Sequence, residues 1–559
     1  MRKPAGVPCL RGVLLAAALC SAVCVVAVVD RKSGAASKPV DEKVYLLHAD
    51  ELKYDMYGAN PQAQIAKGNV RFMHKGAKLD CDSAYFYELS NSVKAFGRVK
   101  FRQGDTLSLN CDRASYDGRE EMLESRGNVV LKHRRQTLYA DSLNYDRRYR
   151  NAYFFEGGKL VDGNDRLVSD WGEYNTETRQ AVFYYDVNMS NGKRFITTDT
   201  LYYDTAKSTA HIKGPSRITS QGSVIETTDG YFDTRTDKAE LYSRSTVVDG
   251  AKTITGDSLT HDDKTGVSEG YGNVVYIDMQ NKSELDCGRF TYNEKTGEGY
   301  ATKKALVKDY SQGDTLYMHG DSIKLYSYHL DTDSAYRTVH CFNHVRAYRA
   351  DFQAVCDSLV FVSSDSCITM YQDPIMWNEN RQLLGEVVKV YLNDSTIRLA
   401  HIIGQALSVE DVDGKGHYNQ VSSSEMEAYF EGGAVRKAVS IGNVVSAYYP
   451  IDGKDSTMIG LNRTESDTMK MYLSPARKME RIWMPKAEGT LYPMTQIPPG
   501  KMKLEQFAWF EDIRPKDKDD VFVWRGKGDD AKLRIVERQA APLQHLGREE
   551  GGETETGRL

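Results

Sequence analysis

The sequence predicts an all-β protein: an elongated repeat of jellyroll or solenoid-like character, with two facing sheets and an open apolar groove between them. Three observations carry this. One phrase recurs along the chain, in Ala49-Asp50-Glu51-Leu52-Lys53-Tyr54, Asp82-Ser83-Ala84-Tyr85-Phe86, Asp112-Arg113-Ala114-Ser115-Tyr116 and Ala140-Asp141-Ser142-Leu143-Asn144-Tyr145. From Asp50, the steps to Asp82, Asp112, Asp141, Asp170 and Asp199 are 32, 30, 29, 29 and 29 residues. A second phrase lies between the first ones: Gly68-Asn69-Val70-Arg71-Phe72, Gly97-Arg98-Val99-Lys100-Phe101, Gly127-Asn128-Val129-Val130-Leu131, and again at Gly272 and Gly442. Both phrases alternate apolar and polar residues with period two, the mark of half-buried strands.

The chain begins with Arg2, Lys3 and Arg11 before an uncharged apolar stretch from Gly12 to Val29, the layout of an export signal. Residues 1–29 are therefore read as a signal or an N-terminal membrane anchor. The stretch is long enough for one membrane-crossing helix and lacks a clear small-x-small cleavage site, so removal and retention both stay open. Residues 30–43 form a linker.

Residues 44–310 hold the regular repeats. A thirty-residue unit cannot bury its apolar face alone, whereas stacked units make two long sheets with a shared interior. Turn-forming pieces such as Asp117-Gly118, Glu156-Gly157-Gly158 and Asn191-Gly192-Lys193 separate the strands. About fourteen units are countable. With one strand per unit in each sheet, they predict a rod at least ~65 Å long. From residue 311 to 512 the steps lengthen: Asp321 to Asp357 is 36 residues, and Glu386 to Glu425 is 39. Extra residues at Tyr328 to Ser334 and Val409 to Tyr418 read as surface loops. Residues 513–559 read as a polar, disordered tail.

A formal net charge of -5 over 559 residues gives no bulk attraction to nucleic acid. Of nine cysteines, Cys9, Cys20 and Cys24 fall in or near the apolar stretch; the other six form no C-x-x-C pair, which argues against zinc. Cys81, Cys111 and Cys356 each precede an aspartate of the repeated phrase. Buried thiols are favoured there over a disulfide between stacked positions. No nucleophile elbow, metalloprotease or phosphate-loop motif is present, so no catalytic residue is assigned. The repeated aspartates read as hydrogen-bonding groups at turns or strand edges rather than as paired catalytic acids.

The alternation of an Ala-Asp-Ser-Leu-x-Tyr-like strand with a Gly-Asn-Val-x-Phe-like strand resembles the LptA/OstA-like family. The match is close over Val44 to Thr315 and weak over Leu316 to Asp512. The resemblance implies a slightly open β-jellyroll in the periplasm whose apolar groove shields the acyl chains of lipopolysaccharide. It also implies inner- and outer-membrane transport components as partners, end-to-end self-association, and no cofactor, catalysis or metal. This chain is about twice as long as a single bridge subunit, and the large C-terminal barrel found in the outer-membrane member is missing.

Exposed methylenes cost about 0.8 kcal/mol each in water, so a carrier must offer a long apolar lining. The candidates are Leu52, Tyr54, Val70, Phe72, Val99, Phe101, Tyr116, Val129, Leu131, Leu143, Tyr145, Leu201 and Tyr203, for each of which ordinary core packing is the competing reading. The basic clusters Lys132-His133-Arg134-Arg135 and Arg147-Arg148 with Arg150 are expected to be solvated turn residues, with contact to lipid phosphates as the alternative. An exported structural, adhesive or polysaccharide-binding protein is the rival functional reading.

Overall fold

The computed structural model describes residues 42–526, apart from 55, 59, 221, 312–313, 331, 333, 394–395, 433, 453–456 and 476–478. Residues 1–41, on which the expected signal or anchor falls, and residues 527–559 of the expected tail lie outside the described residues. Among the described residues there are 38 strands and four single-turn 3-10 helices, and no helix is long and apolar enough to cross a membrane.

All paired strands run antiparallel, and successive rungs, each one strand or two half-strands, pair with each other in one continuous serpentine from Tyr45–His48 to Glu488–Pro493. Hydrogen bonding passes through residue 310 without a break, since Leu306–Asp309 pairs Leu316–His319 and Glu298–Thr302 pairs Ser322–Tyr328. Each thirty-residue unit supplies two full rungs, such as Gln64–His74 and Ala77–Tyr87. Ten rungs are split in two at their middle, so the 38 strands make 28 rungs. At ~4.8 Å per rung the stack runs about 130 Å along the hydrogen-bonding direction. The estimate of one strand per unit in each sheet is therefore too small by half. Each repeated phrase sits in the middle of a long strand rather than filling a short one.

Those midpoints are corners. In Gln64–His74 the register slips between Lys67 and Val70, and Gly68 and Asn69 both take positive φ, 74° and 45°. The same bulge recurs at Gly97/Arg98, Gly127/Asn128, Gly272/Asn273 and Gly442/Asn443. A bulge with two left-handed residues bends the strand sharply, and glycine takes that conformation without steric cost. The aspartate of the other phrase lies on the corner. Asn69 Nδ2 donates to Asp50 Oδ2 at 2.9 Å, Asn128 to Asp112 at 2.8 Å and Asn273 to Asp257 at 2.8 Å. The two phrases recur together because the corners at Gly68, Gly97, Gly127 and Gly272 each join one of each, whereas Ser424 takes the aspartate's place at Gly442. The expected hydrogen-bonding role of the repeated aspartates is what the structure shows.

Bending at every corner folds the serpentine into two facing arms. Phe72 pairs in register with Leu79, and Phe86 lies seven residues further along that strand, about 23 Å away in a flat sheet. The Phe72 and Phe86 rings nevertheless lie 5.5 Å apart, because the arms close on each other. Phe101 meets Tyr145 in the same way at 6.2 Å. Hairpin turns form one row at the free end of each arm, and asparagine or aspartate side chains at Asp117, Asp146, Asn175, Asp204 and Asp233 cap them by accepting backbone N–H groups.

The last described segment is a strap. Residues 494–526 run back over the outer face of one arm, where Leu504, Phe510 and Ile513 pack on Val355, Trp377, Leu384, Leu407, Val409 and Leu461. Two buried glutamines hold its backbone and a third holds its Arg514 side chain. Gln420 donates to Met502 O and accepts from Leu504 N, Gln382 donates to Ala508 O and accepts from Phe510 N, and Gln353 accepts from Arg514 Nε. Val521 is buried and Phe522 packs on His319, so residues 513–526 are docked rather than a disordered tail. Cys81, Cys111, Cys287, Cys341, Cys356 and Cys367 are all buried, and none of them is in a disulfide.

Candidate functional site

The space between the arms differs between the two halves of the stack. From Val44 to Leu259 the facing side chains form one dense core in which 43 apolar residues are buried and only six partly exposed ones lie against it. From Val274 to Met426 a second cluster has 19 buried members and 15 partly exposed neighbours, including Leu285, Phe290, Val307 and Phe430. The arms are pressed together in the first half and parted in the second.

Polar side chains at the hairpin turns explain the closed half. Lys75, in one turn row, meets Glu121, in the other, at 2.7 Å. Arg147, only 6% exposed, reaches across the same mouth: its guanidinium donates to Tyr116 Oη at 2.6 Å and to Lys75 O at 3.3 Å. His74 Nδ1 lies 2.6 Å from the same hydroxyl. The series continues with Asp165 accepting from Thr234 Oγ1 at 2.8 Å and Arg194 with Asp237 and Asp263, and it ends at the start of the second half with Arg337 and Asp278 at 4.0 Å. Burial, reinforced by Arg147, pushes His74 below the usual imidazole range, and burial does the same to His133. Burial opposes ionisation of Glu121, yet Lys75 and Arg147 outweigh it and hold the carboxyl below its ordinary value. Arg147 is thus neither a solvated turn residue nor a free phosphate ligand. His133 is likewise buried, 2.8 Å from Tyr174 Oη, and Arg135 reaches Asp162, Thr205 O and Ser208. Arg148 and Arg150 stay at the surface, near Arg119 O and Glu177.

In the second half the parted arms enclose a cavity of about 680 Å³, within the ~300–1,000 Å³ range of pockets that enclose small ligands. One wall, from the strapped arm, carries Phe352, Met376 and Leu383; the facing wall carries Ile397, Ile402 and Ala428. Met426 and Met471 add unbranched, adaptable side chains. The rim is uneven. Asp314, Arg349, Asp351, Asn378 and Arg381 gather on the strapped arm, while Thr396, Phe430 and Val435 edge the other. The strap lies behind the same half-strands: Met376 faces the cavity core and its neighbour Trp377 the strap.

The sequence-derived lining residues all fall in the first half. Val70, Phe72, Val99, Phe101, Tyr116, Val129, Leu131, Leu143, Tyr145, Leu201 and Tyr203 do point inward, and all are buried in the dense core. Leu52 and Tyr54, on the edge strand Glu51–Tyr54, are 55% and 58% exposed and lie outside the dense core. The walls of the cavity went unnamed, although alternation in Val387–Asn393 and Thr396–Asp411 was the signal available for them. Among the described residues, no group of three or more histidine, cysteine or acidic side chains is placed to hold a metal ion.

The class defined by this arrangement is a long antiparallel β stack, folded along corner bulges into two arms, with an internal apolar cavity reached from one side. Residues 41–199 match the family model described as OstA-like protein, and this segment of the chain is OstA-like. No curated protein matches the chain.

Proposed function

We propose that the chain is a non-catalytic periplasmic carrier that holds the acyl chains of lipopolysaccharide in the cavity of its second half, on the way to the outer membrane. The observation that carries this is the pairing of an OstA-like segment with an apolar cavity of about 680 Å³ whose walls stay partly exposed. Six partly exposed apolar side chains line the cavity, Phe352, Leu383, Ile397, Val421, Ala428 and Phe430, and their contact with water is a cost that a hydrocarbon ligand offsets at about 0.8 kcal/mol per methylene buried. The dense first half then acts as a stalk that sets the reach of the cavity, with transport components of the two membranes as its partners.

The test is titration of the purified chain with a fluorescent fatty-acyl probe and then with lipopolysaccharide. Ala428→Asp puts a carboxylate on the cavity wall at a partly exposed site that tolerates it. Saturable binding, weakened at least tenfold by this change, supports the carrier. Binding of polysaccharide without lipid A, and of no acyl probe, supports the structural or polysaccharide-binding reading instead.

A further inference from the structure

We infer that the cavity is blind toward the N-terminal half, so that an apolar ligand enters and leaves sideways through its own mouth and does not travel along the stack. This rests on the reading that the cavity binds hydrocarbon chains, and it concerns the route such a chain takes. The observation behind it is the sorting of contacts along the mouth. The two turn rows are tied at Lys75–Glu121, Arg147–Lys75 O, Asp165–Thr234, Arg194–Asp237 and Arg337–Asp278. Behind these ties the interior is filled by large rings such as Phe101, Tyr145, Phe183 and Tyr203, each at most 2% exposed. A hydrocarbon chain passing there would have to displace packed side chains at every rung, since protein interiors hold few voids larger than a water molecule.

The ties themselves are uneven in strength. Lys75, Lys193 and Arg337 keep about a third or more of their side chains in solvent, so their ion pairs add little. The seal therefore comes from the packed rings and from buried groups such as Arg147, Tyr116 and Asp165, and adding salt does not open it. Past Arg337 the cavity begins, lined by 311, 314, 349–351, 378 and 381 on one turn row and by 396–397, 428 and 430 on the other. The uneven rim gives the mouth a sense. The charged and amide groups Asp314, Arg349, Asn378 and Arg381 offer a polar head group hydrogen bonds on the strapped arm, while the tails lie against Ile397, Ala428 and Phe430.

A covalent lock across the closed mouth tests the route. Asp165→Cys with Thr234→Cys joins side chains whose native counterparts hydrogen-bond at 2.8 Å. Lys193→Cys with Asp237→Cys, joined by a short bis-maleimide, is a second lock at a pair 3.0 Å apart. The full chain is loaded with a fluorescent fatty-acyl probe and then unloaded into acceptor vesicles, with and without each lock. A bulky maleimide placed at Thr396→Cys, on the rim of the open mouth, is the opposing arm. The expected result is uptake and release within twofold of the unlocked chain for both locks, and a tenfold or greater slowing for the Thr396 adduct. If either lock stops loading or release while the unlocked chain binds the probe, the sideways route is wrong and the carrier reading stands. If the unlocked chain takes up no probe, the carrier reading has failed and the route falls with it.

Discussion

Replacing Gly127 by alanine isolates the device that folds the serpentine into arms. Gly127 has φ +80°, and a Cβ there would lie 2.6 Å from Asp112 Oδ2, which also accepts a 2.8 Å hydrogen bond from Asn128. A left-handed conformation costs a residue bearing a side chain roughly 1–2 kcal/mol. Moving Asp112 aside gives up a hydrogen bond to a charged acceptor, worth at most about 1–2 kcal/mol at this exposed site. The expected loss is therefore about 2–4 kcal/mol, confined to nearby rungs because a stacked repeat contacts only its neighbours. Hydrogen exchange read by mass spectrometry on the full chain measures it, with Leu107–Asp117 and Met122–His133 as the reporting rungs and Phe352–Val362 as the internal control. The double variant with Asp112→Ala removes the clash and the hydrogen bond together. Its loss should fall about 1 kcal/mol short of the sum of the single changes. Strict additivity, or an unchanged exchange rate around the corner, would refute the role given to the paired phrases.

Four further outcomes follow. Arg147→Met strips Tyr116 and His74 of a buried partner and should cost about 2–4 kcal/mol of local protection at Gln64–His74, whereas Lys75→Ala should cost under about 1 kcal/mol; equal effects would contradict the ranking of the ties. His74 and His133 have folded values below the unfolded 6.5, so the unfolded chain binds more protons in that interval. Their contribution is complete above pH 6.5 and is lost as pH falls below it, so protection of the first half, corrected for intrinsic exchange, should drop between pH 7.5 and 5.5; a flat profile counts against buried neutral imidazoles. Gln382→Ala removes the bonds to Phe510 N, Ala508 O and Trp377 Nε1 and should raise exchange at 502–514 about tenfold or more, and unchanged exchange would mean the strap is held by its apolar contacts alone. Burial pushes the thiols of Cys81 and Cys341 up to about 12, so both should resist alkylation in the folded chain at pH 8 and react after denaturation; rapid labelling of the folded chain would contradict the burial.

Much of the fold was legible because each corner repeats a chemical requirement. A glycine that can take positive φ and an aspartate that can meet the next residue recur every 29 or 30 residues, and period two between them marks the inward face. The number of strands that each unit adds to each sheet is less legible, because the phrases read as strands in their own right whereas the structure makes them the bends of longer ones. The place of Arg147 is not legible because nothing local distinguishes a turn arginine in solvent from one that crosses to the carbonyl of Lys75, 72 residues away in sequence. The cavity escaped notice for a related reason. Inward residues look alike in sequence whether the facing arm touches them, as with Phe101, or stands off, as with Ile397. The strap was hidden because its clamps are three glutamines, a residue type that reads as surface until its amide is found bonded to another segment.

The measurement that tests the central claim most directly is site-resolved photo-crosslinking in cells, with the photoreactive residue placed in turn at Ile397, Ala428, Phe101 and Leu131. The account expects lipopolysaccharide adducts at Ile397 and Ala428 and none at Phe101 or Leu131. Adducts at Phe101 and Leu131, or their absence at both cavity positions, would contradict it.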